Sequence, residues 1–201
     1  MRSAEFDRTE VLRAAMNIFI EKGYAKTSMQ DLKKATGLHP GSIYCAFENK
    51  RGLLMAALSQ YGEDSANNFQ HHFREGDALL LGFKHFLDSV VYECERAEVR
   101  DCLLQKAMSE LTKQDAEVEA YISGLMQQWH KGIACKLNLA QERGEISADR
   151  DIEALSNFVV MSIYGIRTFS HTHPTPGTIT KLAEQIYQIV VDSAIAVREV
   201  K

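Results

Sequence analysis

The residues best suited to chemistry lie between Thr27 and Lys50, in the run TSMQDLKKATGLHPGSIYCAFENK. That chemistry is hydrogen bonding and charge, not bond making. Thr27 and Ser28 stand where a helix would begin, and backbone N–H groups at a helix start are natural donors to phosphate oxygens. His39, Pro40, Gly41, Ser42 and Cys45 fall near the start and outer face of a second short helix, where small and polar side chains can reach base edges. Tyr44 and Lys50 add a phenol hydroxyl and an ammonium. No Arg or Asn occupies the base-reading positions to make a bidentate contact. Selectivity would then lean on apolar contact with thymine methyls and on DNA shape.

Two helices joined by a tight turn must position these groups. Thr27 followed by Gln30 has capping-box spacing, so a helix is expected from about Ser28. Asp31 suits its positive end. Leu32 and Ala35 provide a small apolar face. Gly37 ends the helix, because a residue without Cβ tolerates the left-handed conformation. Pro40 fits the first position of the next helix, where Ile43 and Phe47, four apart, face inward. A helix this short has too little apolar surface to be merely structural. The pattern is that of a DNA-reading helix-turn-helix.

The ordered set Gly23-Tyr24, Thr27-Ser28, Asp31-Leu32, Ala35, Gly37-Leu38, Gly41-Ser42-Ile43-Tyr44, Phe47, Lys50 and Leu53 resembles the N-terminal domain of the tetracycline-repressor (TetR) family over roughly residues 7 to 55. Two positions depart: His39 stands where many members have Ser or Thr, and Ala46 where many carry His or Tyr. The resemblance implies an all-α homodimer with a three-helix DNA-binding domain at residues 1–48. A helical ligand-binding and dimerisation domain would follow at 49–201. It also implies double-stranded operator DNA as partner, a small-molecule effector that releases it, and phosphate contacts from Tyr44 and Lys50.

The net charge of −4 is unevenly spread. Residues 1–60 hold nine Lys/Arg against six Asp/Glu, a balance of +3, and residues 61–201 hold fourteen against twenty-one, a balance of −7, which together return −4. This is the footprint of a DNA-binding head on a body that avoids DNA. No run approaches the ~20 apolar residues of a membrane span. The segment MRSAEFDRTE lacks the apolar core of a secretory signal, so a cytoplasmic protein without membrane association is expected. Cys45, Cys94, Cys102 and Cys135 are scattered without metal or disulfide spacing. His171 and His173 lack a third ligand nearby, so neither metal nor cofactor is expected.

The helical period continues beyond the head. Val11, Leu12, Ala15, Ile18 and Phe19 form a first amphipathic helix, stopped at Lys22-Gly23. Asn49 is an N-cap for a fourth, running from Lys50 towards Phe69. Further helices are expected around Leu79–Val91, from Cys102 to Leu111, from Val118 through Ile133 to near Gly144, over 149–170 and over 178–199, with HTHPTPG as the last loop. The run FVVMSIYGI is apolar nearly all round, and the final helix is wider than one core stripe. Phe158, Met161, Gly165, Ile186, Ile189, Val190 and Val197 are therefore expected at a twofold four-helix interface.

Aromatic and sulfur side chains, Phe83, Phe86, Cys94, Cys102, Met108, Met126, Trp129 and Tyr164, are candidates for lining a mostly apolar effector pocket, though any helical core contains such residues. RDCLLQKAMSEL resembles a subgroup with Gly-Cys-Leu at this helix start, here with Asp101 in place of Gly. In that subgroup the cysteine can sense electrophiles or oxidants, which makes a repressor switched through Cys102 the alternative. Arg100 and the helix start would favour a thiolate there and Asp101 would oppose it. An enzyme is not expected, for no phosphate-binding glycine loop, metal constellation or nucleophile–base arrangement is present. A helical interaction module without DNA binding remains the alternative of another class.

Overall fold

The computed structural model describes residues 6–95, 103–111 and 115–191. Among these the chain is all-α, with nine helices: α1 (Arg8–Lys22), α2 (Met29–Thr36), α3 (Pro40–Phe47), α4 (Lys50–His71), α5 (Leu79–Glu95), α6 (Leu103–Leu111), α7 (Ala116–Glu142), α8 (Ile152–Ser170) and α9 (Thr178–Val191). The expected starts at Cys102 and the end at residue 199 fall outside the described residues. The expected start near 149 moves to Ile152, because Asp151 takes the N-cap and accepts the Ala154 N–H at 3.0 Å.

The described residues pack as two units, one from residues 1–65 and 101–126 and the other from 66–100 and 127–201. The helix-turn-helix expected over 1–48 lies inside the first. Its core joins Leu12, Ala15 and Phe19 of α1 to Leu32, Ile43 and Phe47, to Leu53 and Leu58 of α4, and to Leu104, Val118 and Ile122. The second core is built on Phe83, Phe86 and Val90 of α5, Ile133 and Leu137 of α7, Val159 and Ile163 of α8, and Ala183, Ile186 and Val190 of α9. Burial of these apolar faces, at roughly 25 cal/mol per Å², is what holds helices of this length in place.

Local signals set several helix ends as expected. Gly37 is left-handed (φ 72°, ψ −4°) and its N–H closes onto Lys33 O at 3.0 Å. Asn49 Oδ1 accepts the Gly52 N–H at 2.9 Å, so Asn49 caps α4. The capping box of α2 is a correction. Ser28 is the N-cap and pairs with Asp31, with Ser28 Oγ accepting the Asp31 N–H at 3.1 Å and Asp31 Oδ2 accepting the Ser28 N–H at 2.9 Å. The Thr27–Gln30 pair lies one residue too early, because the Thr27 side chain points inward.

The dimer expectation for α9 needs correcting as well. Ile186 and Val190 are 5% and 0% exposed, in the core of their own chain, so they are not available to a second copy. α9 packs against α5 and α8 of its own chain, within one core. Val197 lies outside the described residues.

Candidate nucleic-acid interface

The site is built on α3, which rests on only two buried side chains, Ile43 and Phe47. The Arg8 guanidinium lies over the Phe47 ring, 4.7 Å from its centroid. At the far end of α3, Gly52 is needed for close approach, since a Cβ there would stand 2.0 Å from the Phe47 carbonyl oxygen. The two anchors turn the remaining residues outward. His39, Gly41, Tyr44 and Cys45 are exposed, with Pro40, Ser42 and Ala46 half-buried. Tyr44 is 51% exposed, so it is not a core aromatic.

The start of α3 is capped by His39, whose Nδ1 accepts the Gly41 N–H at 3.3 Å. Pro40 follows at the first helical position, where its missing N–H is no loss. Thr36 stiffens the turn by donating its hydroxyl to Leu32 O at 2.7 Å and accepting the Leu38 N–H at 3.2 Å.

Thr27 does not reach this surface. It is 1% exposed, and its hydroxyl donates to Gly23 O at 2.6 Å. The expected phosphate contact from its side chain is therefore withdrawn. Ser28 is exposed beside it, engaged with Asp31. Asp31 also receives the Lys22 ammonium at 2.6 Å. That bond first, and then those from Ser28, hold its carboxyl well below the usual carboxylate range.

Lys50 is half-buried, with its ammonium 4.4 Å from the centroid of the Tyr24 ring. Burial lowers its pKa, and the Glu110 carboxylate opposes that shift. No local signal in the sequence places Glu110 at this turn. Its Oε2 accepts the Ala25 N–H at 3.1 Å, and its Oε1 occupies the space a Gly23 Cβ would need, 2.0 Å away. Gly23 also has φ 81°. Arg51 is similarly unforeseen: it donates to Asp115 Oδ1 at 3.0 Å and to Glu117 Oε2 at 2.8 Å. These bonds tie α6 and the start of α7 to the turn after α1 and the start of α4.

Residues 11–57 match the family model for bacterial regulatory proteins of the tetR family, and residues 83–186 match the tetracyclin repressor-like C-terminal domain. The chain belongs to the TetR family. This TetR-family chain is a DNA-binding transcriptional regulator by that membership. It is similar to the HTH-type transcriptional regulator UidR of Escherichia coli (strain K12), 27% identical over 163 residues, 81% of each chain. It is also similar to the transcriptional regulator AcuR of Cereibacter sphaeroides, 26% identical over 155 residues, 76% of this chain and 71% of the relative. Its fold matches a cysteine mutant of the TetR-family regulator CifR complexed with 26-base-pair double-strand operator DNA, with a TM-score of 0.81 at 23% identity, covering 93% of this chain and 98% of that one.

The second unit gathers most of the pocket candidates. Phe86 and Trp129 pack edge-on around Phe69, with ring centroids 4.9 and 5.1 Å from it. Sequence reasoning misses Phe69 as a candidate, because it falls near the end of α4, where the helical pattern weakens. Phe83 and Cys94 are buried in the same core, and burial pushes the Cys94 thiol pKa up. Tyr164 Oη lies 3.4 Å from His130 Nε2. Met126 is not part of this group and packs against the core of the first unit. Cys102 and the Met108 side chain lie outside the described residues. Among the described residues no three His, Cys, Asp or Glu side chains gather as metal ligands, and no helix is long and apolar enough to cross a membrane.

Proposed function

We propose that this TetR-family chain is a homodimeric repressor of a palindromic operator, released by a small, mostly apolar effector. The observation that carries the reading is α3 itself: a helix anchored by Ile43 and Phe47 that turns His39, Gly41, Tyr44 and Cys45 to solvent. In this reading His39, Pro40, Gly41, Ser42 and Cys45 face base edges, while Ser28, Tyr44 and Lys50 hold phosphates. Gly41 supports it. Its own chain leaves a Cβ there only an ordinary 3.6 Å contact with His39, so the missing side chain serves an approach from outside.

The helix-turn-helix domain would occupy residues 1–48 and the effector and dimer domain residues 49–201. Pairing of two chains is supported by Met161 and Phe169 of α8 and Ile189 of α9, which are 63%, 42% and 42% exposed despite their apolar character. Phe158 and Gly165 would complete that face. The effector would meet Phe83, Phe86, Trp129 and Tyr164, with Cys94 as apolar lining. Effector binding would shift the population of the dimer away from conformers whose recognition helices match successive major grooves, ~34–36 Å apart.

A gel shift with DNA flanking the protein's own gene tests the reading, at two salt concentrations with nonspecific competitor. A discrete, competitor-resistant, salt-sensitive complex is expected from the wild type. Replacing Tyr44 and Lys50 together with Ala should abolish it without changing the helical content or the dimer. Unchanged affinity in that variant would sink the contact assignment.

A further inference from the structure

His39 is an unusual residue for its position. Favoured N-caps carry a short side-chain oxygen, as Ser, Thr, Asp and Asn do. An imidazole can cap only through a ring nitrogen that bears no proton. The Gly41 N–H donates to Nδ1, so the ring that caps α3 carries its proton on Nε2, because the bond made at one ring nitrogen sets the tautomer of the other. The ring is exposed, and Nε2–H has no acceptor among the described residues. Beside it on α3, Pro40 and Gly41 offer no side-chain donor, Ser42 is short and half-buried, and Cys45 is a weak donor, while the exposed Tyr44 hydroxyl is the one that the proposed function gives to a phosphate.

We propose that His39, with Nδ1 committed to the cap of α3, presents Nε2–H to the major groove and selects a hydrogen-bond acceptor, guanine foremost, at one position of each half-site. The proposal rests on the reading of α3 as the DNA-contacting helix. Guanine shows two acceptors there, N7 and O6, with no donor between them. Adenine places an amino donor beside its N7, thymine offers a single acceptor beside a methyl, and cytosine shows only a donor, which Nε2–H rejects. The cap and the contact are coupled. The bond to Gly41 prevents the ring from presenting Nδ1–H, so the residue cannot swap tautomers to accept from cytosine while α3 stays capped. His39 is thus a specificity-determining residue whose polarity is decided by its own helix.

The same donor would also suit a phosphate oxygen, and the experiment separates the two. Binding sites are selected from random duplex DNA with the full-length wild type and with His39→Ser, which keeps a capping oxygen but removes the reach of the ring. Each protein is then titrated against the selected site and against that site with the single base changed. The wild type should select one guanine position per half-site. In His39→Ser that position alone should become indifferent, and affinity for the selected site should fall about fivefold or more, while the changed-base site binds both proteins equally. The proposal is overturned if His39→Ser retains the same preference at every position. It is overturned equally by a uniform loss on all sites with a shallower salt dependence, which would put Nε2–H on a phosphate. If the wild type selects no sequence at all, the reading of α3 fails and carries this proposal with it.

Discussion

α3 and α8 are both two-faced helices, and their outward faces differ in kind. α3 has eight residues and buries two of them. Its outward side is small or polar, and its hold on the first unit depends on neighbours: the His39 cap, the Arg8 guanidinium over Phe47 and the close approach at Gly52. α8 has nineteen residues and buries a full stripe including Ile152, Leu155, Val159, Val160, Ile163 and Ile166. It still leaves Met161 and Phe169 outside. A helix too short to be stable alone can take the proposed reading role only if others hold it, whereas a long helix with apolar residues left over suits the proposed pairing. The polarity of what remains exposed, more than helix length, is what the proposed roles of the two faces turn on.

The largest expected effect tests how much α3 depends on its two anchors. Ile43→Ala removes most of a fully buried side chain and should destabilise the first unit by about 2–5 kcal/mol. Chemical denaturation followed by circular dichroism would check it, and operator binding should fall with the fold. A loss under ~1 kcal/mol would mean that α3 is held mainly by its caps.

Met161→Glu tests the other side of the comparison. A charge at the centre of the exposed apolar face of α8 should weaken self-association by tenfold or more, on the order of 1.4 kcal/mol or above, with the melting of the isolated chain nearly unchanged. Sedimentation over a concentration series would measure it. An unaltered dimer would move the interface elsewhere.

Gly52→Ala asks whether the approach of α4 to α3 is as tight as the 2.0 Å Cβ distance indicates. Backbone cannot yield as a flexible side-chain end can, so a destabilisation of about 1–3 kcal/mol is expected, together with weaker DNA binding as the end of α3 is displaced. Differential scanning calorimetry and a binding titration on the same sample would show whether the two losses go together.

The smallest effect concerns pH. The Asp31 carboxyl is held below its ordinary range, chiefly by Lys22 and then by Ser28. A depressed folded pKa contributes stability that is complete above the unfolded value of ~3.9 and is lost as pH falls towards the folded value. The melting temperature should therefore decline below about pH 4, and Asp31→Asn should flatten part of that decline. Asp115, held the same way by Arg51, leaves a residual slope. An identical acid limb in the variant would show that the Lys22 and Ser28 bonds do not persist in solution.

Features governed by near neighbours are legible in the sequence. Gly37 as a left-handed stop, Pro40 as a helix start and Asn49 as a cap depend on backbone within three or four residues. The inward pair Ile43 and Phe47 follows from the helical period. Thr27 and Ser28 mark the edge of that power. Both can cap, both precede a residue of suitable type, and only the side-chain direction separates them. Thr27 turns to Gly23 O, so Ser28 takes the cap. On α9 the apolar stripe is plain in the residue order, but not which side of it the chain itself takes. Ile186 and Val190 go to the core, while Ile189 stays outside.

The order of residues along the chain determined the helices, the turn, the outward face of α3 and membership of the TetR family, because those depend on short-range backbone chemistry and on a motif of fixed spacing. Tertiary structure alone decided that Glu110 closes onto the Ala25 N–H and that Arg51 reaches Asp115, contacts spanning 85 and 64 residues. It also settled which apolar side chains of α8 and α9 remain outside. No local pattern encodes such choices, because they depend on which faces are already covered once the helices have packed.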